Sequence, residues 1–224
     1  MKRIKLDDRV LPKYTKGEEV FNMVTHIVGG GLGVIAFILC LIKSIIHANA
    51  YSIISSIIYG VFTITLYTMS SIYHGLNPKL KGKKVLQILD HCTIFVYIAG
   101  CYTPFCLITF REYDIFLGWG MFAFVWISAI LGVVFNSIDL RRYRVLSMLC
   151  YLSMGWCIIL KINILPSLIS IPGFILLLSG GIVYTLGAIL YGVGTKIKYI
   201  HSIFHMFIVL ASILQFLCIY LYVI

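Results

Sequence analysis

The sequence predicts an all-α fold, a bundle of seven transmembrane helices in the cell membrane. Two observations indicate this class. Of the 224 residues, 61% are hydrophobic and 12% are charged, whereas a soluble domain carries about 25% charged residues. The apolar residues also form long runs separated by short polar segments. So much apolar surface cannot be buried around one aqueous core, and we expect much of it to face lipid.

The seven predicted helices follow from the length of a span, which is about 17–25 predominantly apolar residues. Residues 1–19 are polar and charged and lack the apolar run of a secretory signal. We interpret them as a basic cytoplasmic tail before a membrane domain of residues 20–224. The fifth run is the weakest because Lys161 interrupts it. The predicted spans are Val20–Ile42, Tyr51–His74, Leu86–Phe110, Ile115–Ile138, Val145–Leu160, Gly173–Val193 and Ser202–Ile224.

Lysine and arginine are distributed unevenly among the connecting segments. Fifteen of the eighteen fall in the N-terminal tail and after the second, fourth and sixth helices. Cytoplasmic loops carry such an excess, so we expect a cytoplasmic N-terminus and an extracellular C-terminus. Contact with anionic lipid headgroups explains the net charge of +10 without nucleic acid. The fifteen are Lys2, Arg3, Lys5, Arg9, Lys13, Lys16, Lys79, Lys81, Lys83, Lys84, Arg141, Arg142, Arg144, Lys196 and Lys198; the others are Lys43, Arg111 and Lys161.

Several ionisable side chains lie in the spans near the expected cytoplasmic surface. His74 ends the second helix, Asp90 and His91 lie in the first turns of the third, and His201 and His205 begin the seventh. A charged side chain at a helix centre costs about 2.5–3.5 kcal/mol, which favours a functional role for such residues. The orientation is inferred from lysine and arginine alone. The similar membrane depth of the histidines and Asp90 is therefore independent evidence that they form one site.

The spacing of three histidines favours a zinc site. His201 and His205 are four residues apart and project from one helix face, and His74 supplies a third imidazole. Three protein ligands leave one tetrahedral position open, as in catalytic zinc sites. The run His-Ser-Ile-Phe-His lacks the glutamate of HExxH metalloproteases, so Asp90 is the available general base. Ser70 stands four residues before His74 on the same face. The alternative is that these histidines are polar residues at the membrane rim.

The other polar residues receive simpler interpretations. His91 points about a quarter-turn or more away from its acidic neighbour, and we interpret it as a structural hydrogen-bonding residue. His26 lies at a similar depth, where it could line the site or serve only in packing. Glu18 and Glu19 precede the first predicted helix and are interpreted as charges at a helix N-terminus. His47 lies in an outer loop and is assigned no role.

Four runs carry a resemblance to a known family. They are EEVFNMVTHIVGGGLG, SSIYHGL, LDHCTIFVYIAGCYTPF and HSIFHMF, in this order. Together they resemble the hemolysin III family, the bacterial branch of the progestin and adipoQ receptors, over essentially the whole chain. The resemblance implies a seven-helix fold with a cytoplasmic N-terminus and one Zn²⁺ near the inner leaflet, held by His74, His201 and His205. It also places Ser70 and Asp90 near the water of that zinc.

Three functions remain open. The eukaryotic receptors resemble alkaline ceramidases in this site, which implies zinc-dependent hydrolysis of a lipid amide that enters from the bilayer, with Asp90 and Ser70 as catalytic residues. A second function is that of a non-enzymatic, receptor-like protein with structural zinc, for which His26 is the candidate fourth ligand. The third is the haemolytic, pore-forming activity in the family name, which these constitutively apolar helices do not explain.

The topology is testable with reporters that are active on only one side of the membrane. We expect a reporter after Ile224 to read extracellular and a reporter near Lys83 to read cytoplasmic, because of the unequal distribution of lysine and arginine. A cytoplasmic reading at both positions would contradict the seven-helix topology, most simply by removing the weak fifth span.

Overall fold

The computed structural model describes residues 5–193 and 197–224, and every regular element among them is helical. Seven helical spans in this part are long and apolar enough to cross a membrane, which confirms the predicted fold class. Three basic residues of the predicted cytoplasmic segments, Lys2, Arg3 and Lys196, fall outside the described residues. The helices are α1 (Lys16–Ile46), α2 (Ala50–Gly75), α3 (Lys81–Pro104), α4 (Ile115–Asp139), α5 (Arg144–Trp156), α6 (Leu165–Val193) and α7 (Ile200–Tyr222).

Two of the helices change geometry towards their ends. α3 continues past Pro104 as a π-helical stretch, Phe105–Phe110, and one short turn, Arg111–Tyr113. A proline inside a helix lacks a backbone donor and crowds the preceding turn, which accounts for the change at this point. α5 continues as a 3₁₀ turn, Cys157–Lys161, and the two together make the fifth span long enough to cross a membrane.

α1 begins before the predicted Val20 because polar residues form its first turn. The Glu18 N–H donates to Thr15 Oγ1 at 3.3 Å, and the Glu18 carboxylate accepts from the Thr15 N–H at 2.8 Å. This reciprocal pair is a capping box, which satisfies two otherwise unpaired donors at a helix start. Glu18 and Glu19 therefore belong to the first turn of α1 instead of preceding it.

α6 also begins earlier than predicted, and it is kinked. Its backbone is interrupted at Ser170, where φ is 62°, and Pro172 follows. A positive φ with an extended ψ is unfavourable for residues other than glycine. This break separates a short first turn from the long apolar part of the helix. The predicted start at Gly173 corresponds to the beginning of that apolar part.

α3 lies at the centre of the bundle. In its membrane-crossing window 78% of the residues are buried, against 22–44% in the other six spans.

α1 packs against α2 and also against α7, which closes the bundle. Gly29 permits a close approach of α1 to α2, since a Cβ at this position would lie 2.5 Å from the Tyr67 ring. Short connections make successive helices antiparallel, so α1, α3, α5 and α7 begin at one end, which we name the N-terminal end.

Candidate metal centre

Three histidines meet at the N-terminal end of the bundle. His74 lies in the last turn of α2, and His201 and His205 lie in the first turns of α7. Each offers a ring nitrogen, and these three atoms lie within 4.8 Å of one another. All three side chains are buried. They form the group of potential metal ligands that the described residues contain, and it matches the triad predicted from the sequence.

A partly buried acid, Glu19, fixes the orientation of His74. Its Nδ1 lies 2.7 Å from Glu19 Oε2. Since a carboxylate only accepts hydrogen bonds, Nδ1 is the donor in this contact, and in the neutral imidazole Nε2 then carries the lone pair. The other oxygen, Glu19 Oε1, accepts from Lys83 Nζ at 2.6 Å. Lys83 is 2% exposed and also donates to the Leu76 carbonyl at 2.9 Å. A carboxylate behind a ligating imidazole is a common device for orienting histidines at metals.

The two histidines of α7 face each other across one turn. His201 Nε2 and His205 Nε2 are 3.0 Å apart. The opposite nitrogen, His205 Nδ1, lies 2.6 Å from Nε2 of His26 on α1. His26 therefore supports His205 from behind and does not belong to the group of potential ligands. His26 thus lies beside the centre, where its ring packs against the rear of His205.

The donor set fits a zinc ion. His74 Nε2 is buried and has no hydrogen-bond partner within the described part of the chain. Tetrahedral zinc with Zn–N bonds of 2.0–2.1 Å separates its ligand nitrogens by about 3.3 Å, close to the 3.0 Å between the His201 and His205 nitrogens. Three neutral imidazoles suit zinc and other borderline divalent metals. The centre could thus hold a metal ion, and zinc is the ion implied by the sequence.

The neighbouring acid, Glu18, connects α1 to the start of α7. Its Oε1 accepts a hydrogen bond from the backbone N–H of Tyr199 at 2.8 Å. Tyr199 precedes α7 and has a left-handed backbone with φ of 62°. His201 follows two residues later, so this contact fixes the position from which the α7 ligands project. The consecutive acids Glu18 and Glu19 therefore hold helices on two sides of the centre.

Three tyrosines surround the histidines. The Tyr14 ring stacks on His201, with ring centroids 4.9 Å apart and planes at 16°, and lies 5.8 Å from the His74 ring. Tyr73 lies 4.7 Å from His74, and Tyr191 lies 6.0 Å from His201. These rings limit the space between the histidines and the N-terminal end of the bundle.

Asp90 and Ser70 lie on two helices that flank the centre. Burial raises the pKa of Tyr14 well above its usual value, with smaller contributions from Tyr191 and Asp90, so the Asp90 carboxylate is within electrostatic range of this ring. No hydrogen bond or ion pair holds that carboxylate among the residues described. Ser70 is 1% exposed and lies one turn before His74 on α2. Asp90 is not one of the grouped ligands.

The other two predicted histidine positions lie outside the centre. The carbonyl of His91 accepts hydrogen bonds from Asn136 Nδ2 at 3.3 Å and the Tyr151 hydroxyl at 2.9 Å. The structural hydrogen bonds expected of His91 are thus made by its backbone carbonyl, while its ring lies 6.0 Å from the Tyr191 ring. His47 follows α1 at the opposite end of the bundle and is exposed.

Sequence reasoning missed the contacts that Glu19, Lys83 and Tyr14 make at the centre. It treated Glu19 as a helix charge and Lys83 as a loop cation, but the structure buries Lys83 in the first turn of α3 against that acid. A topology reporter is therefore better placed at Lys79, which is exposed. The capping-box spacing from Thr15 to Glu18 was a readable signal that α1 begins before the two acids.

The fold and this centre define an integral membrane protein of seven helices with a buried histidine triad that could hold a metal ion. Residues 14–216 match the family described as Haemolysin-III related, and the chain belongs to that family. It is therefore a multi-pass membrane protein.

Individual relatives agree with this assignment. The chain is 40% identical over 207 residues to Hemolysin-3 of Bacillus cereus, with 92% of each chain covered. It is 37% identical over 209 residues to the Hemolysin-3 homolog of Bacillus subtilis (strain 168), covering 93% of this chain and 96% of the relative. A more distant similarity, 27% over 176 residues, links it to the monocyte to macrophage differentiation factor of Homo sapiens, covering 75% of this chain and 70% of that protein.

Metal analysis of the purified protein tests the centre directly. We expect about one zinc per chain, because three convergent imidazoles form a typical three-ligand zinc site. His201→Ala and His205→Ala should each lose most of the zinc, whereas His47→Ala should lose none because His47 lies at the opposite end. Equal zinc content in all three variants would identify the histidines as polar residues of the membrane rim.

The role of Glu19 is measurable as zinc affinity. Glu19→Ala removes the acceptor that orients His74, and we expect the dissociation constant for zinc to rise roughly 10–100-fold, as for other residues that support metal ligands. Competition with a chelator of known affinity measures this constant. The matched control is Glu112→Ala, at an acid that is 56% exposed beside Arg111. Unchanged affinity in Glu19→Ala would show that helix packing alone orients His74.

Proposed function

We propose that this protein is a zinc-dependent hydrolase of a membrane lipid amide, similar in reaction class to a ceramidase. The observation that supports this proposal best is the set of three convergent histidine nitrogens without a fourth protein ligand among the described residues. A three-ligand centre is typical of catalytic zinc and leaves room for water or substrate. His26, the candidate fourth ligand, contacts the rear nitrogen of His205 instead. This arrangement favours the hydrolase over a protein with purely structural zinc.

The chain's own residues would hold and orient the ion. His74, His201 and His205 supply the nitrogens, and Glu19 and His26 hold two of the rings from behind. Zinc bound in this way lowers the pKa of a water molecule towards ~7 and polarises a carbonyl group.

In this proposal Asp90 transfers the proton, and Ser70 positions the water or the developing oxyanion. The Asp90 carboxylate accepts a proton from the attacking water, whose oxygen adds to the amide carbon. The C–N bond then breaks, and Asp90 passes the proton to the departing amine. The Ser70 hydroxyl donates a hydrogen bond to the water or to the developing oxyanion.

The location of the centre favours a lipid substrate. The three histidines are buried inside a bundle whose outer surface is lined by apolar side chains. An acyl chain can enter such a bundle from the bilayer without leaving an apolar environment, whereas a polar soluble substrate would be desolvated. With the N-terminus in the cytoplasm, the centre lies near the inner leaflet, and the basic segments at this end contact anionic headgroups.

Asp90→Asn separates catalysis from metal binding. We expect this variant to keep its zinc, because the three histidines remain, and to lose roughly 10²–10⁴-fold in turnover, because an amide cannot accept the proton. Ser70→Ala should also keep zinc and slow turnover less, since it removes one hydrogen bond and no base. Release of labelled acyl chain from ceramide and related lipid amides would be measured on the preparations used for zinc analysis.

A matched control exists at the other end of the bundle. The Asp114 carboxylate accepts from the Leu117 N–H at the start of α4, and asparagine is an equally good cap. Asp114→Asn should therefore keep both zinc and turnover. If Asp90→Asn loses its zinc, Asp90 is a ligand or an anchor of one. If it retains full activity, or if the wild-type protein hydrolyses no lipid amide, the hydrolase proposal is wrong.

A further inference from the structure

Residues 5–15, which we name the N-terminal segment, lie across the end of the bundle that contains the metal centre. Asp7 makes an ion pair of 3.0 Å with Lys81, and its carbonyl accepts from Lys84 Nζ at 2.7 Å, both near the start of α3. Arg9 Nη2 donates to the Ile138 carbonyl near the end of α4 at 3.4 Å. The segment is thus attached to two helices before it reaches α1.

The other end of this segment is attached to α1. The Glu18 carboxylate accepts hydrogen bonds from the N–H of Thr15 at 2.8 Å and from its hydroxyl at 2.7 Å, and its second oxygen holds Tyr199 before α7. Tyr14 is the residue directly before this capping box. Its backbone is therefore fixed on the C-terminal side by the contact that positions the α7 ligands.

The side chain of Tyr14 turns inward from a polar stretch. Lys13 and Thr15 on either side are exposed, whereas the Tyr14 ring is mostly covered and stacks on His201 at 4.9 Å. The same ring lies 5.8 Å from His74. One aromatic ring thus contacts histidines from both helices that supply the triad, on the side facing the N-terminal segment.

We propose that Tyr14 closes the aqueous side of the metal centre, so that water-soluble molecules are excluded and ligands reach the histidines from the bilayer. This inference rests on the proposed function, because it concerns access to the same centre. It makes Tyr14 a specificity-determining residue that selects lipid-borne ligands over soluble amides. The ring provides the cover, and the hydroxyl is not required for it.

The test is the rate at which the zinc-loaded, full-length protein in lipid nanodiscs transfers zinc to EDTA. Losing this stacked, mostly covered ring opens the aqueous side, and we expect Tyr14→Ala to release zinc at least about tenfold faster with an unchanged initial zinc content. Tyr14→Phe should release zinc at the wild-type rate. The control Tyr113→Ala removes a tyrosine that is 57% exposed near the far end of the bundle and should have no effect.

A second measurement needs neither bound metal nor turnover. Diethyl pyrocarbonate modifies accessible imidazoles, and the modification of His201 in zinc-free protein can be followed by peptide mass spectrometry, with exposed His47 as an internal reference. We expect His201 to react faster relative to His47 in Tyr14→Ala than in the wild type. Equal rates in both measurements would overturn the proposal, as would zinc release from Tyr14→Phe as fast as from Tyr14→Ala. Failure of lipid hydrolysis would change neither rate.

Discussion

The Glu19 carboxylate, held between the His74 imidazole and the Lys83 ammonium group, is the interaction on which the metal centre depends. Its two oxygens accept hydrogen bonds at 2.7 and 2.6 Å from groups on α2 and α3. Without this partner Lys83 would be a buried cation with no counter-charge, and breaking a buried ion pair costs about 3–5 kcal/mol. The same carboxylate thus stabilises the N-terminal end of the bundle and directs the ligand nitrogen of His74. One carboxylate therefore contributes both to the stability of the fold and to the geometry of the centre.

α1 also orients a histidine of α7 through direct side-chain packing. Gly29 leaves space for the Tyr67 ring, which lies edge-on to His26 with centroids 5.1 Å apart. His26 in turn contacts the rear nitrogen of His205. A side chain at Gly29 would displace this ring and, through it, a histidine that supports the centre. α1 therefore supplies none of the three ligands but determines the orientation of two of them.

The sequence predicts the seven helices because each span needs an apolar run, and such runs are readable without coordinates. It also predicts the triad, since His201 and His205 have helical spacing and His74 ends a helix at the same depth. The contact of Glu19 with Lys83 was not predictable in this way. It depends on the rotation of two helices about their axes, and the apolar pattern placed the start of α1 after the acid. Tyr14 was missed because its polar surroundings show no periodicity that would turn its ring inward.

The division of the triad between α2 and α7 has a consequence for the biogenesis of the protein. Glu19 and His74 are synthesised and inserted long before His201 and His205, so the polar cluster on α1 to α3 enters the membrane without the other two imidazoles. The ribosome must complete more than a hundred further residues before α7 packs against α1. Binding of a metal ion by the complete triad would then be a late event, because it requires the earliest helices and the seventh together. A metal ion held by all three histidines would accordingly report that insertion of the whole bundle has finished.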